Sequence, residues 1–387
     1  MTDRQAPAAE LIIAVHSADR PIRRAVESVL AAAVPGRALA TVVCHNLDPV
    51  PIRDRLDGLP AEQVRVLALA DGIRSPAGPF NYGLEHAVAR FVGIMGSDDT
   101  LEEAAVDAWL ATAEGAGAAV VMAPLRLQGG RRILTPRARV FRGMLVDPVR
   151  DRLAYRTAPL GLFRRDLLSK HGLALTPELR TGEDLEFGLK LWFSGERIAY
   201  PAQGPAYVVG NDAVERVTAA VLPLAEQFRD VRALVAGTWF ASLPEGKRAA
   251  IAVKILRGHV ISAAVRRGRD FNWPAVDRRE LSRVIELVTG LAPAAPKVLS
   301  APDERLLLEL RDAGSAEAVR ESLRRRDAAN ALWRSLTLRW QDNFRIEAPL
   351  RSNLNSLLAA GTDTVLSALP PAARRRRSSP QRRKDAA

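Results

Sequence analysis

The feature that most constrains this chain is a change of rhythm near residue 218. Before it, short apolar runs rich in β-formers alternate with helical patterns. Leu11–Val15, Ala40–Cys44, Val64–Ala68, Phe91–Met95 and Ala118–Met122 read as strands, and Pro21–Ala33, Pro51–Leu59, Gly83–Arg90 and Leu101–Glu114 as helices. This alternation predicts an α/β domain with a largely parallel sheet, whose ligands bind beyond the carboxyl ends of the strands. After it the strand-like runs vanish. Ala219–Val235, Glu245–Arg267, Arg278–Thr289, Pro302–Asp312 and Ala316–Trp340 have helical spacing, separated by breaks such as Ala292-Pro293-Ala294-Ala295-Pro296. The expected organisation is an α/β domain over 1–218, an all-α domain over 219–370 and a basic tail over 371–387. A chain of 387 residues exceeds what one core usually fills.

Charge follows the same division. The net charge is +12, yet residues 1–218 carry 26 basic and 26 acidic side chains. The whole excess lies in 219–387, with seven basic residues and one acidic residue in 372–387 alone. Arg374 to Arg377 and Arg382-Arg383-Lys384, flanked by Pro370, Pro371 and Pro380, cannot build a core. This tail predicts either a solvated terminus or contact with an anionic membrane surface. No specific nucleic-acid partner is expected. Glu245–Arg267 reads as a basic amphipathic helix, with lipid contact, packing on neighbours or a homodimer interface as its uses. The single cysteine, Cys44, excludes an internal disulfide framework. Neither a secretory leader nor a run of about 20 apolar residues is apparent, so the expected location is cytoplasmic, with peripheral attachment to the membrane's inner face through the basic region.

Two acidic pairs carry the chemistry. Gly96-Ser97-Asp98-Asp99-Thr100 directly follows an apolar strand, where paired carboxylates can hold a hard divalent cation shared with phosphates. The structural alternative is that Asp99 or Thr100 caps a helix over Leu101–Glu114. Thr181-Gly182-Glu183-Asp184 opens an apolar helical segment, and a carboxylate there can serve as general base for a hydroxyl. Helix-terminus electrostatics is the alternative.

Together with Ile13-Ala14-Val15-His16-Ser17, Arg24-Ala25-Val26-Glu27-Ser28-Val29-Leu30 and Phe80-Asn81-Tyr82-Gly83-Leu84-Glu85-His86-Ala87, these pairs fall in a characteristic order between Leu11 and Tyr207. In that order the chain resembles the inverting family 2 glycosyltransferases of the GT-A fold. The resemblance implies a Rossmann-like α/β domain and a hexosyltransferase-type enzyme using Mn²⁺ or Mg²⁺. Its partners would be a nucleotide-sugar donor, UDP- or dTDP-linked, and a glycan or lipid-linked glycan precursor of polysaccharide biosynthesis. Asp99, with Asp98, would bind the metal; His16, Ser17, Arg20, Asn81 and Asp98 would contact the donor; Asp184 would be the base, supported by Glu183. By order along the chain, Tyr155 and Arg156 would lie towards the acceptor.

Three departures qualify the resemblance. Gly96 replaces a usual acid. Cys44-His45-Asn46 replaces a usual Asp pair, leaving Asn46 or Asp71 to read the base. Leu336 stands where processive members have Gln before Arg339-Trp340, which implies a non-processive enzyme and a structural role for that pair. The rivals are a catalytically silent GT-A protein that binds nucleotide or glycan, and a basic membrane-associated adaptor.

Overall fold

The computed structural model describes residues 6–136, 138–139, 143–179, 181–210, 222–312, 314–351 and 353–354. The expected boundary near residue 218 and the basic tail over 371–387 both lie outside the described residues.

The strands are β1 (Ala9–Val15), β2 (Ala38–His45), β3 (Val64–Leu69), β4 (Phe91–Gly96), β5 (Thr100–Leu101), β6 (Val120–Met122), β7 (Leu125–Leu127), β8 (Arg132–Ile133), β9 (Leu145–Val146), β10 (Gly161–Arg164), β11 (Ile198–Ala199) and β12 (Tyr207–Val209). Interleaved are α1 (Ile22–Ala31), α2 (Val50–Arg55), α3 (Ala77–Glu85), α4 (Ala105–Ala116), α5 (Leu167–Lys170) and α6 (Leu185–Phe193). The main sheet runs β3-β2-β1-β4-β10-β6-β11-β9. Its first four strands are parallel, and β10 enters antiparallel between β4 and β6. A smaller sheet, β5-β12-β7-β8, lies beside it. The leading strands are almost unbroken apolar runs because both faces of the sheet are covered. Ile13, Val15 and Val42 pack with α1 and α4 on one side; Ile12, Val43 and Val92 join the cluster on the other.

Two helices differ from expectation. The helix expected over Gly83–Arg90 runs over Ala77–Glu85, because Pro79 sits in the first turn, where a missing N–H costs nothing. The helix expected from Leu101 begins at Ala105, because Thr100 and Leu101 are recruited as a strand against Val208 and Tyr207. Asp99 and Thr100 therefore cap no helix.

The region beyond residue 222 is helical, as expected: α7 (Leu224–Gln227), α8 (Arg229–Ala236), α9 (Thr238–Ser242), α10 (Glu245–Ile255), α11 (Ser262–Arg267), α12 (Ala275–Leu291), α13 (Ala301–Arg311), α14 (Ala316–Ala328) and α15 (Ala331–Ser335). A π-helical turn, Leu256–Ile261, joins α10 to α11. One apolar cluster runs from Ile12, Val92 and Phe163 through Phe187 and Trp192 of α6 into Val231, Ile251, Ile255 and Ile285. The helices thus share a core with one face of the sheet.

The basic segment Glu245–Arg267 spends its charges internally. Arg248 donates to the carbonyls of Leu291, Ala241 and Leu243, Arg257 to those of Val298 and Glu347, and Arg267 to those of Ala263 and Leu222. With Ile251, Ile255, Val260 and Ile261 buried, packing wins over a lipid-facing role. Trp340 is 76 % exposed and meets Phe344 edge-on, so it contributes little to the core and departs from the structural role expected of Arg339-Trp340. Among the described residues, no helix is long and apolar enough to cross a membrane.

Candidate active site

The site is built where β1, β2, β3 and β4 end together. At the end of β4, Asp98 Oδ1 and Asp99 Oδ2 converge above Gly96: a Cβ placed on Gly96 would lie 3.2 Å from the first and 2.6 Å from the second. The glycine leaves room that an acid at this position would fill. Asp99 is fixed from beneath by the Tyr207 hydroxyl, which donates to Oδ2 at 2.5 Å, and by the Gly210 N–H, which donates to Oδ1 at 2.8 Å. Burial pushes the Asp99 carboxyl up; those two hydrogen bonds offset it in part, and the charge of Asp98 adds to it. Arg20 Nη1, buried and without an aligned hydrogen bond, stands 3.1 Å from Asp98 Oδ2. Arg24 Nη2 donates to the Asp98 carbonyl at 2.8 Å. Two carboxylate oxygens facing one small space fit a hard divalent cation that takes its other ligands from phosphate oxygens. Among the described residues, no group of three or more His, Cys, Asp or Glu is placed to hold an ion unaided.

The ends of the next two strands form a second polar patch. Asp71 Oδ1 lies 2.9 Å from His45 Nε2 and accepts from Asn46 Nδ2 at 3.2 Å and from the Ile73 N–H at 2.9 Å. Burial would raise the Asp71 carboxyl, but these hydrogen bonds outweigh it and hold it below the ordinary aspartate value. Gly78, in the first turn of α3, permits the approach; a Cβ there would meet Asp71 Oδ2 at 2.6 Å. Asn46 and Asp71, distant in sequence, are therefore one patch. His16 is exposed just beyond β1, and Ser17, partly exposed, accepts from the Asp19 N–H at 3.2 Å.

Glu183 and Asp184 enter α6 from a loop held by α3 and its approach. Ser75 Oγ donates to the Leu179 carbonyl at 2.7 Å, and Asn81 grips Leu175 at both its N–H and its carbonyl. Asp184 occupies the N-cap position, yet its side chain makes no capping hydrogen bond. Its carboxylate is left for other work, and helix capping does not explain it. Both acids remain partly accessible to solvent. Burial pushes Asp184 up, opposed by the charge of Lys254. Burial, with the charges of Asp184 and Asp230 adding to it, takes Glu183 to about 7.

Sequence reasoning missed Asp230 in α8 and Lys254 in α10. Gly182, at φ +82°, lies so close to Asp230 that a Cβ would meet its Oδ2 at 2.3 Å. No local signal marks either residue, because both sit within helices whose pattern reports only amphipathicity.

Three expected contacts are corrected. One N–H of the Asn81 amide donates to the Leu175 carbonyl and its oxygen accepts from the Leu175 N–H, so Asn81 positions the loop. Arg156 is 2 % exposed and donates to the carbonyls of Ala123, Thr135, Ala158 and Leu160. Burial lowers its pKa to about 10. It cross-braces the sheets through these four carbonyls. The Tyr155 hydroxyl donates to Glu347 Oε2 at 3.3 Å and accepts from Arg257 at 2.5 Å, tying the α/β region to the helices.

No protein-family model matches the chain. It is similar to TarS of S. aureus: the structure of TarS residues 1–349 with UDP-GlcNAc superposes with TM-score 0.70 at 17 % identity, covering 82 % of this chain and 90 % of that one. The chain adopts the GT-A fold. TarS 1–349 with UDP superposes at TM-score 0.64 and 17 % identity, over 84 % of this chain and 92 % of that one. In sequence the chain is 26 % identical, over 223 residues, to the succinoglycan biosynthesis protein ExoO of Rhizobium meliloti (strain 1021), a match covering 54 % of this chain. The match spans 63 % of ExoO, under two-thirds of that relative's length. The GT-A sheet accounts for the placement of Asp98, Asp99, Asn46 and Asp71, all at carboxyl ends of its strands.

Proposed function

We propose that this GT-A protein is an inverting, non-processive glycosyltransferase. In this reading it moves one sugar from a nucleoside-diphosphate donor to a hydroxyl of a glycan or lipid-linked glycan precursor. One observation carries the proposal: Asp184 stands at a helix start without capping it, partly open to solvent, after a loop tied to Ser75 beyond the end of β3, while Asp98 and Asp99 converge beyond the end of β4.

Asp184 accepts the proton of the acceptor hydroxyl as the oxygen attacks the anomeric carbon from the face opposite the diphosphate. The bond to the leaving diphosphate oxygen breaks, and configuration at that carbon inverts. A base whose pKa is raised towards the working pH takes that proton more effectively, and burial of Asp184 supplies the shift. Arg20, with its buried, unaligned nitrogen, offers a cation to the phosphates. Asp98 and Asp99 are the residues that would hold Mn²⁺ or Mg²⁺, which supplies neutralisation of the diphosphate's charge. Asn46 and Asp71 present hydrogen-bonding groups for a pyrimidine and its ribose. The UDP and UDP-GlcNAc complexes of TarS, of the same fold, support a uridine donor, with dTDP the alternative. ExoO's association with succinoglycan supports a polysaccharide-precursor acceptor. The two-domain division near residue 218, work on the inner side of the membrane and contact of the basic tail with anionic lipid belong to the same proposal.

The test is a thermal-shift panel of nucleotide sugars with and without Mn²⁺. The reading expects one donor to stabilise the protein only when metal is present. Stabilisation by none, with metal present, contradicts it and favours the adaptor reading.

A further inference from the structure

We propose that a cavity between the segment following β9 and the stretch around residue 350 is a lipid-phosphate site: its arginines hold the phosphate of an anionic lipid while an adjacent aromatic rim enters the bilayer surface. The proposal is independent of the donor and base assignments.

The cavity, of about 220 Å³, is lined by Arg139, Arg150, Arg152, Ile346 and Arg351, four cations and one apolar wall. Two of the cations are fixed by buried acids. Arg139 donates to Asp151 through Nε at 3.0 Å and Nη2 at 2.9 Å, and Asp151 is fully buried. Arg152 donates through Nε to Glu347 Oε2 at 3.2 Å, and its guanidinium carbon lies 4.5 Å from the centre of the Tyr155 ring. Arg152 also holds a left-handed φ of +57°, which a non-glycine residue keeps only where its surroundings over-determine it. The other two, Arg150 and Arg351, are exposed and pair with no acid among the described residues. Arg351 Nη1 donates instead to the Phe344 carbonyl at 3.2 Å. The acids of this neighbourhood are Asp151, Glu347 and Asp147, whose Oδ1 accepts from the Val149 and Arg150 N–H groups. Against them stand the four lining arginines and Arg257, 3.8 Å from Glu347 Oε2. Positive charge is left over for an anion, and the guanidinium fork matches pairs of phosphate oxygens.

The rim beside the cavity is apolar. Phe344 holds Arg351 through its carbonyl, Leu350 precedes that arginine, and Trp340 meets Phe344 edge-on with ring centres 6.2 Å apart. Phe344 is 68 % exposed and Leu350 42 %. Large apolar side chains grouped in water mark a surface that meets a partner. Charge identifies the partner. From residue 331 to 354 the exposed charged side chains are Arg334, Arg339, Arg345 and Arg351, whereas the two acids, Asp342 and Glu347, are buried. Asp342 is paired with Arg345 at 2.8 Å and Glu347 with Arg152 at 3.1 Å. Aromatic rings among exposed arginines, with no exposed acid between them, complement the anionic face of a bilayer: the rings enter the headgroup region and the guanidiniums meet phosphates. Arg351 belongs to both cavity and rim, so one surface serves phosphate and bilayer together.

Co-sedimentation of the full-length protein with phosphatidylcholine vesicles, with and without phosphatidic acid, tests the proposal, because phosphatidic acid presents a terminal phosphate that can enter the cavity. Wild type should bind the vesicles that carry it more tightly. Arg150→Gln combined with Arg351→Gln should weaken that binding by about tenfold or more. Both side chains are exposed, so the fold is retained. Trp340→Ser combined with Phe344→Ser should weaken it to a similar extent. Arg229→Gln combined with Arg283→Gln removes the same charge from exposed positions of α8 and α12 and should bind as wild type does. Equal loss in that control assigns the effect to overall charge and overturns the proposal, as does undiminished binding in either the cavity or the rim variant. Inorganic pyrophosphate, read by thermal shift, separates the sources of phosphate. If it stabilises wild type and not the Arg150/Arg351 variant while both bind the vesicles equally, the cavity serves a soluble phosphate and the lipid assignment is overturned.

Discussion

Glu183 and Asp184 are adjacent in sequence, and burial pushes both upward, yet only Asp184 lies under the charge of Lys254. Glu183, without a lysine beside it, is taken by burial and by the charges of Asp184 and Asp230 to about 7, against 4.5 for an ordinary glutamate. A carboxyl whose folded pKa exceeds its unfolded one binds its proton more tightly when folded. Its penalty is absent below pH 4.5, grows up to about 7 and is complete above that. Glu183→Gln should therefore raise Tm at pH 8 and leave it nearly unchanged at pH 4.5, a difference that paired thermal melts measure. At the proposed metal end, Gly96→Ala places a methyl against an Asp99 carboxylate that Tyr207 and Gly210 hold in place. The Mn²⁺ concentration for half-maximal turnover should rise about tenfold, as changes beside metal ligands typically cause. An unchanged metal titration would separate Asp99 from the cation.

At the scale of elements, the site depends on short connections under tension. Gly182 has the left-handed φ that favours glycine and lacks the Cβ that would strike Asp230. Gly182→Ala should cost about 1–3 kcal/mol of stability, measurable by chemical denaturation, and lower turnover in the same variant. The core strands were legible because their apolar runs are continuous, and so was the place of both acidic pairs at element ends. Helix starts were less so: Pro79 looks like a breaker yet sits in a first turn, and Thr100-Leu101 looks helical yet pairs with β12. Polar roles were least legible. Asn81 and Arg156 carry the groups that sugars and phosphates need, but burial hands those groups to backbone carbonyls and amides. Lys254 shows the converse, since a charged residue of a basic amphipathic pattern ends only 4 % exposed.

Across the whole molecule, the positive charge and the two candidate acidic pairs are separated. The neutral first 218 residues hold both acidic pairs, whereas the positive excess follows them, with seven basic residues in 372–387. Deleting 372–387 should weaken binding to vesicles of anionic lipid, each lost basic residue costing about 1 kcal/mol at low salt, while turnover of a soluble acceptor stays the same. Co-sedimentation with vesicles measures this, and unchanged binding removes the tail from any membrane role. The shared core joins the helices to the sheet, and Asp230, from beyond residue 218, packs against Gly182 just before Glu183 and Asp184.

The most direct test of the central claim compares wild type with Asp184→Asn, using the donor and metal that the thermal-shift panel identifies. Acceptor-dependent release of nucleoside diphosphate should fall by about 10²–10⁴-fold, the usual worth of a positioned base, while the donor's thermal shift is retained. Transfer that survives Asp184→Asn at the wild-type rate would contradict the account.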